Sequence, residues 1–244
     1  MKEDMKDVTF LVLVKIDTVN RLENVLAVTD YLGSHCLANI KVWECGSFNN
    51  HVLERLIADD VEYEFHIDYD PMFHRTKYLN EMTKTAQTPI VSIWDADIVI
   101  PCKQIIDSVK ALRENADVVY PYDGTFYDTS DELRRLFIQT MDISVLERHT
   151  AFMRKLFGKS SVGGAFFAKK DKYEECGLEN EDFYGWGLED GERYHRFAKR
   201  ASVQRINGAL FHLSHPRGEN SSITSSLEDL AKRRKYFMTN KEWV

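Results

Sequence analysis

Three short clusters in this 244-residue sequence combine residue types that hold metals or move protons. Trp94-Asp95-Ala96-Asp97 closes an apolar run. On an extended backbone, carboxylates two residues apart project to one side and repel each other unless something positive lies between them. A divalent cation with oxygen ligands, itself carrying a diphosphate, meets that need. A strand-end turn, where aspartate is common, accounts for the same residues. His212-Leu213-Ser214-His215 can share a metal only if the chain bends between the imidazoles, because a straight strand aims them at opposite faces. Pro216 marks an end to regular structure there, yet two surface histidines beside a turn are the commoner arrangement. The third cluster is Tyr184-Gly185-Trp186-Gly187-Leu188-Glu189-Asp190-Gly191-Glu192. Its glycines let backbone approach a ligand, its indole offers a flat face to a sugar, and its acids offer a general base and a hydroxyl acceptor. Acids also favour helix N-termini, and a helix through Arg193, Tyr194 and Phe197 would follow. Capping explains one acid; it leaves the glycine-tryptophan-glycine unexplained.

These clusters need elements to position them. Val8–Ile16 is an almost unbroken apolar run, as in a strand buried on both faces of a parallel sheet. Leu22, Val25, Leu26, Thr29 and Leu32 then fall at helical spacing. Strands at Ile40–Cys45, Val61–Ile67, Pro89–Trp94 and Asp117–Tyr122 alternate with helices around Val52–Ile57, Tyr78–Ala86 and Ile105–Leu112. That rhythm predicts an α/β fold with a doubly wound, mostly parallel sheet, which binds ligands at its strands' carboxyl ends. Beyond Tyr122 it breaks. Residues 131–157 read as mainly helical, short strands at Ala165–Ala168 and Leu210–Leu213 flank the glycine-tryptophan loop, and a last amphipathic helix spans Leu227–Phe237. Residues 150–162, with Gly158 and two serines, are expected to form a lid over a donor. Lys232–Lys235 reads as a solvated helix face, with docking to anionic lipid as the other reading.

Composition narrows the classes. Hydrophobic residues make up 43% and charged residues 29%, a globular balance. The formal charge of −7 argues against nucleic acid as the main partner. No apolar run approaches the roughly 18 residues of a membrane span. Met1–Asp7 lacks the apolar stretch of a signal peptide, and the four cysteines show no CxxC spacing. The expectation is a cytoplasmic protein with reduced thiols.

Taken together, Gly163-Gly164-Ala165-Phe166-Phe167, Cys176-Gly177-Leu178 and the Tyr184–Asp190 block resemble the donor and acceptor segment of the β-1,4-galactosyltransferase and chondroitin-synthase glycosyltransferases. Phe73, Arg75, Lys77 and Asn80 resemble that family's F-x-R-x-K-x-x-N segment, and Asp95-Ala96-Asp97 stands at its DxD. The resemblance implies a single GT-A domain over 1–244, with a small second sheet. Residues 1–123 would bind nucleotide, and 124–244 would hold acceptor and complete the metal site. It implies transfer from a UDP-sugar, with Mn²⁺ or Mg²⁺, onto a glycan or lipid-linked oligosaccharide in polysaccharide assembly. By the same resemblance Asp97, His215 and His212 hold the metal, and Asp190 is the base. Glu189 and Trp186 contact acceptor, with Trp186 also lining the donor beside Gly164. Asp95 contacts the donor, Arg75 and Lys77 the diphosphate, and Asn20 and Arg21 the nucleotide. Glu44 would read uridine or its ribose. Leu188 and Gly191 depart from the family block, where glycine and a further acid are common, which bears on donor sugar identity. The secretory members' disulfides, anchor and stem have no counterpart, implying a bacterial-type enzyme, cytoplasmic or peripheral at the inner face of the membrane. Inversion by single displacement is expected; retention, or a catalytically silent nucleotide-sugar binder, are the alternatives. A sugar nucleotidyltransferase would need a glycine-rich loop after the first strand, and Lys15–Arg21 has no glycine.

Overall fold

The computed structural model describes residues 2–70, 72–157, 160–185 and 187–216. The expected helix at Leu227–Phe237, the basic run at Lys232–Lys235, Gly158 and Trp186 lie outside the described residues. β1 (Glu3–Val14) runs through the core, with Val8 to Val14 buried without a break. The continuous apolar run has this physical meaning: both faces of the strand are covered. α1 (Val19–His35) follows, its first turn capped by Thr18 Oγ1, which accepts from Arg21 N at 3.2 Å. Then come β2 (Cys36–Gly46), α2 (Val52–Leu56), β3 (Glu62–Ile67), α3 (Arg75–Thr85), β4 (Ile90–Asp95), β5 (Ile98–Val99), α4 (Cys102–Glu114) and β6 (Val118–Tyr120). The second half carries β7 (Thr125–Asp128), α5 (Asp131–Thr140), α6 (Ser144–Arg148), β8 (Arg154–Leu156), β9 (Ala165–Lys169), α7 (Lys170–Glu175), α8 (Glu189–Arg200), β10 (Val203–Arg205) and β11 (Ala209–His212).

The seven-stranded sheet has the order β10-β6-β9-β4-β1-β2-β3. From β1 the chain proceeds outward through β2 and β3, then returns to lay β4 on the other side of β1. That reversal opens a crevice at the carboxyl ends of β1 and β4, where Leu13 pairs in register with Asp95. β9 is antiparallel and sits between β4 and β6; the other neighbours pair in parallel. Trp94, Phe10 and Phe167 meet edge to face at 5.4–5.9 Å beneath the crevice. A second, four-stranded sheet has the order β5-β11-β7-β8.

Residues 131–157 are helical only in part: they end in β8, which pairs antiparallel with β7. β5, β7, β8 and β10 are two to four residues long, too short to impose a period of two on the sequence. Their pairing comes from partners far along the chain. The segment expected to be a lid therefore contributes a strand to the small sheet.

Candidate active site

Asp95 and Asp97 do not share one strand face. Asp95 ends β4, whereas Asp97 lies in the turn before β5, tied down by Trp94 Nε1 donating to Ile98 O at 2.8 Å. The turn sends the two carboxylates to different partners. Asp97 Oδ2 lies 3.6 Å from His212 Nε2 and 3.2 Å from His215 Nε2. One ligand atom from each of the three residues falls within 4.8 Å of the others. The bend that brings both imidazoles to one side is clamped on three fronts. Leu213 N donates to Asp97 O at 2.7 Å, Asn24 Nδ2 donates to Leu213 O at 2.8 Å, and Ser214 N donates to Thr129 Oγ1 at 3.0 Å. Burial opposes charge here, yet the two imidazoles hold the Asp97 carboxyl well below its usual range. Against the same cost of burial, Asp97 and Asp128 push His212 up to about 9. One carboxylate and two imidazoles form a donor set that a divalent first-row transition ion such as Mn²⁺ can use.

Asp95 instead accepts from Arg75 Nη2 at the start of α3, and burial still raises its carboxyl above the ordinary range. Against the cost of burial, Asp95, Asp190 and Glu189 hold the Arg75 guanidinium above its own. The Arg75 charge is thus paired with the β4 end and also feels the field of the acids opening α8. Glu189 is 5% exposed and is pushed up to about 7, by burial first and then by the neighbouring Asp190 charge. Asp190 Oδ1 accepts from Arg193 Nη2 at 2.7 Å. Arg193 is itself buried, forked onto Glu179 at 3.0 Å to each oxygen, with Tyr173 also donating to Glu179 at 2.5 Å. Neither acid acts as the side-chain cap of α8; Leu188, at φ 75°, takes the cap position without a side-chain bond. Of the buried polar atoms in this cluster, Arg75 Nη1, Glu189 Oε2 and Arg193 Nε lack a hydrogen-bond partner among the described residues. Such atoms are costly unless a ligand or water satisfies them.

Gly163 and Gly164 set the floor between the two groups. A Cβ on Gly163 would fall 2.5 Å from Asp190 Oδ2. Gly164, at φ 85°, has its carbonyl bonded by Asp95 N at 2.8 Å, and a Cβ there would meet Leu210 at 2.9 Å. Arg21 pairs with Asp17 at 3.0 Å and reaches within 3.9 Å of Asp97 Oδ2. Glu44 is buried, accepts from Tyr63 at 2.7 Å, and has its carboxyl raised by that burial. It lines a cavity of about 310 Å³ with Asp17, Thr18, Asn50 and Leu53. Lys77 is not drawn into the acid cluster: its ammonium lies 4.0 Å from Glu81 and 5.5 Å from the Tyr78 ring centre. Sequence reasoning missed Asp128, whose Oδ1 lies 2.8 Å from His212 Nδ1, and the buried Arg193–Glu179 pair.

Residues 134–217 match the family model described as the N-terminal domain of galactosyltransferase. Mouse (Mus musculus) β-1,4-galactosyltransferase 7 is 30% identical over 107 residues, 44% of this chain and 24% of that protein. Among solved structures, a variant of Drosophila β-1,4-galactosyltransferase 7 with manganese, UDP-Gal and xylobiose aligns with a TM-score of 0.56 at 12% identity. That match covers 92% of this chain and 79% of the other. Staphylococcus aureus TarS with UDP-GlcNAc aligns at 0.62 and 12% identity, covering 98% of this chain and 66% of the other. Residues 134–217 thus resemble a galactosyltransferase domain, and the chain has the GT-A fold. The matched stretch spans about a quarter of the mouse protein. Within this GT-A chain the matched family segment holds Gly163, Gly164, Glu189, Asp190, His212 and His215, while Asp95 and Asp97 precede it. No helix among the described residues is long and apolar enough to cross a membrane.

Proposed function

We propose that this chain is a metal-dependent glycosyltransferase that moves a hexose or N-acetylhexosamine from a UDP-sugar to a glycan hydroxyl with inversion. The observation that carries this reading is the meeting of Asp97, His212 and His215 at the sheet crevice, beside an Asp95–Arg75 pair that feels the charge of Glu189 and Asp190. Asp97, His212 and His215 would hold Mn²⁺ or Mg²⁺. When bound, the ion would neutralise negative charge on the departing diphosphate. Glu44 would face the base or ribose from its 310 Å³ cavity. Arg75 Nη1 has a free donor for a donor-sugar or phosphate oxygen. Asp190, aimed by Arg193, would take the proton of the acceptor hydroxyl as its oxygen attacks the anomeric carbon and the C–O bond to UDP breaks. Glu189, ionising near neutrality, would exchange hydrogen bonds with an acceptor hydroxyl at its unpartnered Oε2. The Drosophila relative's complex with manganese, UDP-Gal and xylobiose supports this class of donor and acceptor. A lipid-linked oligosaccharide acceptor, with the protein cytoplasmic or peripheral at the membrane, extends the same reading. Its four free cysteines, three of them buried, suit a reducing compartment.

The test is a UDP-sugar panel with Mn²⁺, comparing wild type, Asp97→Ala and Asp190→Asn in donor binding, hydrolysis and transfer. Asp97→Ala is expected to lose metal-dependent UDP binding. Asp190→Asn is expected to bind donor normally and lose transfer. UDP binding unaffected by a chelator would refute the metal assignment; full transfer by Asp190→Asn would refute the base.

A further inference from the structure

We propose that Asp128 is a positioning residue for the metal site, holding the His212 imidazole with Nε2 turned toward Asp97. The inference rests on the reading of His212 as a metal ligand and adds a residue that no motif contains. β7 and β11 run parallel with Asp128 opposite His212 in register, so sheet pairing itself delivers the carboxylate to the ring. Asp128 Oδ1 lies 2.8 Å from Nδ1 of His212, while Nε2 of the same ring faces Asp97 Oδ2 at 3.6 Å. A carboxylate can only accept at that bond, so Nδ1 carries the proton and the Nε2 lone pair is left for a metal. His215 is arranged the same way by a different partner. Its Nδ1 lies 2.9 Å from Pro216 O, and its Nε2 points to the same Asp97 oxygen at 3.2 Å. Two rings from two backbone settings, each held at Nδ1, converge through Nε2 on one carboxylate oxygen.

Asp128 is fixed in turn. Its second oxygen accepts from Arg154 Nη2 on β8 at 2.9 Å, and Thr129 N, next along the chain, donates to His212 O at 3.0 Å. The His212 ring also lies against Phe126, two residues before Asp128, with centroids 6.0 Å apart. Carboxylates behind metal-bound histidines set tautomer and ring orientation, and their loss typically weakens metal binding about 10–100-fold.

The experiment titrates Mn²⁺ alone into wild type, Asp128→Ala, Asp128→Asn and His212→Ala by calorimetry, with thermal unfolding of each metal-free form alongside. Asp128→Ala is expected to weaken Mn²⁺ binding about 10–100-fold. Asp128→Asn, whose amide oxygen can accept the same bond, should recover to within about threefold of wild type. If Asp128→Ala does not fold, Asp128→Ser replaces it, keeping a polar strand residue too short to reach Nδ1. Unchanged Mn²⁺ affinity in Asp128→Ala beside a weakened His212→Ala overturns the proposal and leaves the metal reading intact. Equal losses in the alanine and asparagine variants overturn it too, since loss of charge without loss of the bond would then account for the effect. His212→Ala binding Mn²⁺ as wild type does would overturn the metal reading itself.

Discussion

The Glu189→Gln substitution should raise stability by about 3 kcal/mol at pH 8 and by about 1 kcal/mol or less at pH 5. Glu189 is buried at the head of α8 with one carboxyl oxygen unpartnered, beside the charge of Asp190. Its carboxyl is pushed up from 4.5 to about 7. Each unit of that shift is worth about 1.4 kcal/mol, so forcing the charge onto the folded state costs about 3 kcal/mol. The sign follows from proton binding. Between pH 4.5 and 7 the folded state holds a proton that the unfolded chain has released. Stability is therefore greatest below 4.5 and is lost as pH rises through 7. Glutamine matches the neutral acid in shape and cannot ionise, so the variant keeps at pH 8 what wild type has lost. Urea unfolding at pH 5, 6.5 and 8, read at constant m, measures the difference. A gain of equal size at pH 5 and pH 8, or a loss at pH 8, would refute the reasoning. Burial would then not be what holds the carboxyl up.

Three further outcomes test neighbouring parts of the site. The ion pairs that raise His212 to about 9 stabilise the metal-free chain fully below 6.5 and are lost as pH rises through 9. Against His212→Gln, wild type should lose about 3 kcal/mol across that window, and a flat difference profile would contradict it. Gly163→Ala places a methyl 2.5 Å from Asp190 Oδ2, and the carboxylate must shift. Transfer should fall about 100-fold with Mn²⁺ affinity unchanged, and retained turnover would show that Asp190 is not held to that position. Arg193→Leu strands the buried Glu179 carboxylate and should cost about 3–5 kcal/mol in chemical denaturation. Adding Glu179→Gln should recover a large part, and two additive losses would argue against the pair.

Legibility followed strand length and the distance between partners. β1 and β4 are long enough for burial on both faces to leave continuous apolar runs, so the sheet and the placing of Asp95 and Asp97 at its carboxyl edge could be read directly. The convergence of His212 and His215 could not, because the bend depends on Asn24 and Thr129, brought from 189 and 85 residues away. Asp128 was equally hidden: β7 has four residues, and its pairing partner lies 84 positions on. A local signal did exist, since Gly124 before β7 and the Ser130 cap opening α5 bracket a short element there. The burial of Arg193 has no local sign, because nothing in α8 announces that Glu179 will bury beside it.

The step from Gly163 to Gly164 acts as a spacer gauge. One glycine carries the carbonyl that anchors Asp95, and its neighbour underlies Asp190. The step between the Asp95 anchor and the ground beneath Asp190 is thus made of backbone, about 3.8 Å from one Cα to the next. Side chains beyond that step are not bound by the same close approach. On the proposed chemistry, preference for one sugar over another can then drift through those side chains while the reaction itself stays in tune.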